Sequence, residues 1–149
     1  MAPALRRHPP AREGRDVTLA ASWPRRFQFF SEAEMACRCN CGALPDAAFM
    51  VWLEQVRQVY GKPMVVTSGA RCEAHNRIVG GEQNSAHTEG MAVDIAIRGA
   101  EAMQLVHVAL INHVYGVGLK QHGAERFVHL DRAPPIPDVR PRPHLWGYP

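Results

Sequence analysis

Residues 90–97, GMAVDIAI, constrain the fold more than any other part of the chain. Side chains along a strand alternate between its two faces. Met91, Val93, Ile95 and Ile97 therefore share one face, and Ala92, Asp94 and Ala96 the other. The first face belongs against a core. The second carries a carboxylate among alanines, whose small side chains leave room above them. The chain supplies helices to cover the apolar face. In LPDAAFMVWLEQVRQVYG, Phe49, Trp52, Leu53, Val56 and Tyr60 recur at helical spacing and Gly61 stops the helix. GAEAMQLVHVALINHVYG reads as a second amphipathic helix. KPMVVTSG reads as a buried strand ending in a turn, and VGLK, QHGAE and RFVHLD as a strand–turn–strand hairpin. FQFFSEAEMAC (27–37) reads as a docking segment and a short helix, with Ser31 and Glu34 forming a capping box. RCEAHNRIVGG is a short helix or turn stopped by Gly80 and Gly81. These elements predict an α+β fold: a small antiparallel sheet with helices packed on one side and an open cleft on the other.

At 149 residues the chain fits one domain, placed at residues 26–149, after a flexible, basic, Pro-rich leader at 1–25. The leader has no apolar core of the kind a secretory signal carries. A hydrophobic fraction of 46% with 21% charged residues is an ordinary globular balance, and no apolar run approaches a membrane span, so no membrane insertion is expected. A net charge of +3 is mild. The basic residues scatter without an aromatic–basic stripe, which argues against nucleic acid as a partner. The Pro-rich tail, APPIPDVRPRPHLWGYP, is expected to order only where Trp146 or Tyr148 packs. Three of the four cysteines, Cys37, Cys39 and Cys41, fall in CRCNCG, and Cys72 lies apart. This is not a CxxC pair, and Cys-x-Cys neighbours rarely bridge each other. A disulfide from Cys72 to one of the three, or free thiols, is favoured over a structural zinc site.

Asp94 does not stand alone. Phe127, His129 and Asp131 share one face of the last hairpin strand, and Val128 and Leu130 take the core side. If the two strands are neighbours, His129 and Asp94 converge, and His87 enters from the loop before the first strand. Two imidazoles and a carboxylate suit a catalytic Zn²⁺ with a fourth position open for water. Spacing alone equally allows a hydrogen-bonded structural His/Asp pair. No HExxH motif is present. His107 and His113 ride the second helix as packing or surface residues, and His75 and His122 sit in turns.

TSGARCEAHNRIVGGEQNSAHTEGMAVDIAI followed by GVGLKQHGAERFVHLD resembles the zinc D,D-peptidase family. That family includes D-alanyl-D-alanine carboxypeptidases, vancomycin-resistance D,D-dipeptidases and phage L-alanyl-D-glutamate endolysins. Its Ser-x-His-x-x-Gly-x-Ala-x-Asp pattern falls on Ser85, His87, Gly90, Ala92 and Asp94, and its upstream Ser-Gly-x-Arg on Ser68, Gly69 and Arg71. The likeness runs over about residues 27–132. The opening FSEAEMACRCNCG resembles phage-encoded members. The resemblance implies His87, Asp94 and His129 as ligands of one catalytic zinc, Arg71 beside the substrate carboxylate or the oxyanion, and Ser85 positioning substrate. Ser85 as a turn cap and Arg71 in an ion pair with Glu73 or Asp94 are the plainer alternatives. Many members carry an acidic residue three positions before the last histidine; here that position is Arg126. Asp131 and Glu125 are the candidates for the catalytic base, Asp131 being preferred, either as base or as the carboxylate that orients His129. His144 and Trp146 are candidates for the cleft wall.

The implied activity is zinc-assisted hydrolysis of a stem-peptide or cross-link bond in bacterial peptidoglycan. The protein is expected to act as a monomer at the cell wall, reached from the cytoplasm by holin-dependent release or as part of a virion. The alternatives are a non-catalytic zinc-containing wall-binding module, since hydrolysis need not be the role in relatives such as the Hedgehog signalling domain, and a phage structural component.

Overall fold

The computed structural model describes Trp23 and residues 26–149. The leader reading, at residues 1–22, 24 and 25, lies outside the described residues. Trp23, within the stretch read as leader, is buried edge-on to Phe27, and its indole N–H donates to the Phe30 carbonyl at 2.7 Å.

The described chain runs through α1 (Glu32–Met35), α2 (Ala47–Tyr60), β1 (Val65–Ser68), α3 (Glu73–Ile78), a 3₁₀ turn (Ala86–Glu89), β2 (Ala92–Ala96), α4 (Gly99–Ile111), β3 (Gly116–Lys120), β4 (Phe127–Asp131) and β5 (His144–Gly147). The capping box forms as expected: the Ser31 and Glu34 side chains each accept the other's backbone N–H. Asp46 caps α2 by accepting the N–H groups of Ala48 and Phe49. The Glu54 carboxylate, on α2, accepts the N–H groups of Gln28, Phe29 and Phe30, docking the 27–30 segment on the helix.

The strands form one sheet in the order β1-β2-β4-β3-β5. The α+β class holds, but the sheet is mixed rather than antiparallel: β5 runs parallel to β3. The reason is topological. β4 is flanked by β2 and β3, so the chain leaving it has no free edge beside it and crosses to the outer edge of β3. The tail is consequently better ordered than its prolines suggest. Arg140 anchors the crossing with hydrogen bonds to the Pro134 and Asn84 carbonyls, both at 3.0 Å, and an ion pair to Glu89 at 2.7 Å.

One face of the sheet is apolar. Val93, Ile95, Val128 and Leu130 are fully buried in one cluster with Leu53 and Val56 of α2 and Leu105 of α4. The opposite face carries Asp94, His129 and Asp131. Its floor is opened by glycine at two positions on β3, opposite Asp131 and His129. A Cβ at Gly116 would strike the Asp131 carboxylate and the Arg142 guanidinium. A Cβ at Gly118 would stand 2.7 Å from both the Trp146 and the Tyr148 ring. Gly118→Ala is therefore expected to lower stability by about 1–3 kcal/mol through overpacking, read as a lower urea midpoint with an unchanged slope.

Candidate active site

His87 is held by the backbone around it. The Ser85 hydroxyl caps its turn by accepting the His87 N–H at 3.3 Å, and the His87 carbonyl accepts the Arg71 N–H at 3.0 Å. The imidazole Nδ1 lies 2.7 Å from the Gly69 carbonyl, which can only accept, so the proton sits on Nδ1 and the Nε2 lone pair points inward. That lone pair faces Asp94 Oδ1 at 3.2 Å. Asp94 and His129 are direct partners across the β2–β4 ladder, and His129 Nδ1 reaches the same Oδ1 at 2.9 Å. His129 Nε2 points the other way, to Asp131 Oδ2 at 2.9 Å. All three converging residues are buried, and a ligand atom of each lies within 4.8 Å of the others.

This donor set fits a cation. Burial disfavours the charged form of His87 and lowers its pKa despite the nearby Asp94 carboxylate. A neutral His87 then turns a nitrogen lone pair toward a carboxylate oxygen. With its Nε2–H donated to Asp131, a His129 that carries no second proton does the same from Nδ1. Burial lowers the His129 pKa, but its hydrogen bonds to Asp131 and Asp94 prevail and raise it, so the point where the two imidazoles and the carboxylate meet is filled either by that extra proton or by a metal ion that replaces it. Nitrogen and oxygen donors of this kind suit Zn²⁺. Burial raises the Asp94 pKa, but the two histidines set around its carboxylate outweigh it, so the carboxyl stays well below the usual range.

A second layer fixes these ligands. Asp131 is fully buried, and Arg142 grips it with two N–H groups, Nε to Oδ1 at 2.9 Å and Nη2 to Oδ2 at 2.8 Å. Burial raises the Asp131 pKa, but the hydrogen bonds from His129 and Arg142 prevail and keep the carboxylate ionised. Arg71 sends separate N–H groups to Asp94 Oδ2 (3.2 Å), Ser68 Oγ (2.9 Å) and Asn76 Oδ1 (3.3 Å). Arg71 thus occupies the second oxygen of Asp94, and Oδ1 alone faces the histidines.

The site opens into a cleft of about 670 Å³. One wall is the polar turn at residues 80–85, and the other is aromatic. Trp146 stands 5.1 Å from the His129 ring, with His144 stacked on it at 5.7 Å and 18°. Tyr148 packs on Phe127 at 5.0 Å. Burial, with the Asp94 charge adding to it, pushes the Tyr148 pKa up to about 12. The phenol therefore stays a protonated donor at neutral pH.

The structure brings together His87, Asp94, His129, Arg71, Ser85, His144 and Trp146 in this cleft. Arg71 takes up the ion pair with Asp94 and Ser85 the turn cap, while both also line the cleft. Asp131 lies behind His129, with both oxygens engaged. Glu125 is exposed in the β3–β4 turn and does not line the cleft. Arg142 and Asn76 escaped the sequence reading. Nothing in VRPRPHLWG marks Arg142, because its partner sits across a crossing that only the sheet order reveals.

A family model described as Peptidase M15 matches residues 28–131, from the docking segment through the end of β4. No curated protein matches the chain. The matched span is more than half of the chain and carries all three converging ligands together with Arg71 and Asp131. On that match, with a cation-fitting His/Asp/His set at its centre, the chain belongs to the peptidase M15 family and is a zinc metallopeptidase.

Proposed function

We propose that this peptidase hydrolyses stem-peptide or cross-link bonds of bacterial peptidoglycan, as a D,D-carboxypeptidase or endopeptidase or as an L-alanyl-D-glutamate endolysin of phage origin. The observation that carries the reading is the cleft itself, with the His87–Asp94–His129 set on its floor between Arg71 and an aromatic wall. Arg71 uses one N–H each on Ser68, Asn76 and Asp94 and retains further N–H groups for a substrate carboxylate. Ser85 borders the same floor and positions the peptide. Trp146 supplies a flat apolar surface for small side chains. The protein acts as a monomer at the wall, reached by release or on a virion.

Bound by His87, Asp94 and His129, zinc supplies Lewis acidity toward the scissile carbonyl and lowers the pKa of an attacking water. The chain's own residues do the rest. Arg71 and the Tyr148 hydroxyl offer donors to a developing oxyanion. Asp131 holds the His129 proton on Nε2 and so leaves Nδ1, which faces Asp94, as the nitrogen that would hold the metal. With Asp131 sealed by Arg142 and Glu125 outside the cleft, we assign proton transfer to His144, an imidazole on the cleft wall. Arg126, at the position many family members fill with an acid, favours the second reading, a wall-binding module without turnover.

Zinc-loaded protein incubated with purified peptidoglycan is expected to release new amino termini, mapped by mass spectrometry. His87→Ala and chelator treatment should each abolish the release. Intact peptidoglycan from several wall types, with zinc still bound, would leave the binding-module reading in place. Asp131→Asn should weaken zinc binding by about 10–100-fold, measured by competition with a chelator. An unchanged zinc affinity with lost turnover would make Asp131 the base instead. His144→Gln should lower kcat by about 10²–10⁴-fold with zinc content unaltered, in a continuous peptide assay.

A further inference from the structure

The cysteines take no part in the cleft, yet the fold gathers them. All four are free, and their sulfur atoms lie within 4.8 Å of one another. Cys37 Sγ is 3.3 Å from Cys39 Sγ, which is 3.6 Å from Cys72 Sγ. A tetrahedral ion with zinc–sulfur bonds of about 2.3 Å separates its sulfurs by about 3.8 Å. The loop is shaped for this. Asn40 takes the left-handed conformation at φ 58°, its N–H bonds back to the Cys37 carbonyl at 3.3 Å, and the Cys37 N–H closes on Ala43 at 2.9 Å. That turn folds the alternating cysteines around one centre and sets them against Cys72, at the start of α3.

We propose that Cys37, Cys39, Cys41 and Cys72 form a second metal site, a closed tetrathiolate that holds a structural Zn²⁺. Pairwise bridging has no use for four sulfurs about a single point; one ion does. Backbone N–H groups already point at the sulfurs. The Cys72 N–H donates to Cys37 Sγ at 3.4 Å, and the His75 N–H donates to Cys72 Sγ at 3.3 Å, contacts that favour thiolates. Four protein ligands leave no open position, so the ion is structural rather than catalytic. A single ion also fits better than an iron–sulfur cluster, whose cysteines stand farther apart. Spacing favours a disulfide or free thiols, and all four cysteines are free in the structure; what spacing does not show, and the proposal rests on, is that Cys72 meets all three others.

The site has work to do. It ties the 37–41 loop to residue 72, next to Arg71. The Ala70 N–H bonds to the Met35 carbonyl at 2.8 Å, and the Gly69 carbonyl accepts the His87 Nδ1 proton. The segment that aims both Arg71 and His87 is thus pinned at its far end by the thiolates.

The test is metal stoichiometry on full-length protein purified under reducing conditions with zinc. About two equivalents are expected by plasma mass spectrometry, one of them released by a thiol-specific mercurial. His87→Ala should retain the mercurial-releasable equivalent, which separates this site from the fate of the peptidase reading. Cys39→Ser should lose it. Should Cys39→Ser fail to fold, cobalt substitution of His87→Ala provides the second readout, through an intense near-ultraviolet thiolate-to-cobalt charge-transfer band. Four thiols that react in the native protein without releasing metal would overturn the proposal. So would disulfides found by mass, or iron in place of zinc.

Discussion

The pairing of β2 with β4, in the register that sets Asp94 opposite His129, is the constraint on which the remaining structure rests. Side chains alternate along a strand, so a slip of one residue would turn Val128 and Leu130 into the cleft and His129 into the core. The apolar residues forbid that slip. Val93, Ile95, Val128 and Leu130 are all fully buried against α2 and α4. Core packing on one face therefore places the ligands on the other, and the hydrophobic effect sets the geometry of a polar site it never touches.

Much of this was legible in the chain because it follows from local periodicity. The alternation in GMAVDIAI and RFVHLD placed Asp94, His129 and Asp131 on one face, and the amphipathic spacing of Phe49, Trp52, Leu53 and Val56 named the helix that covers the other. What was not legible depends on contacts between distant segments. The parallel β5 follows from β4 having no free edge, a property of the sheet rather than of any stretch of sequence. The grip of Arg142 on Asp131 needs that same crossing. Cys72 meets the CRCNC loop because long-range hydrogen bonds, Ala70 N–H to the Met35 carbonyl and Arg38 to the Val66 carbonyl, bring the two segments side by side.

The charges on the cleft floor form a balanced set. Asp94 is answered by Arg71 and Asp131 by Arg142, and both histidines are poised to present lone pairs. A divalent ion added to this arrangement gives the floor a net positive charge. Peptides with free carboxylates are drawn toward such a floor, and the attraction weakens as salt rises.

The two walls and the floor do not share one rigidity. β2, β3 and β4 each have a neighbour on both sides, whereas β5 hangs on a single ladder to β3 and turns Leu145 outward at 62% exposure. An edge strand opens at lower free-energy cost than the strands inside. His144 and Trp146 ride on that edge. Asp94 and His129 are thereby anchored to strands paired on both sides, while the aromatic wall of the cleft belongs to an edge strand. Division of this kind lets the four-residue edge shift, or be remodelled at its outward-facing Leu145, while the ligand set stays where it is.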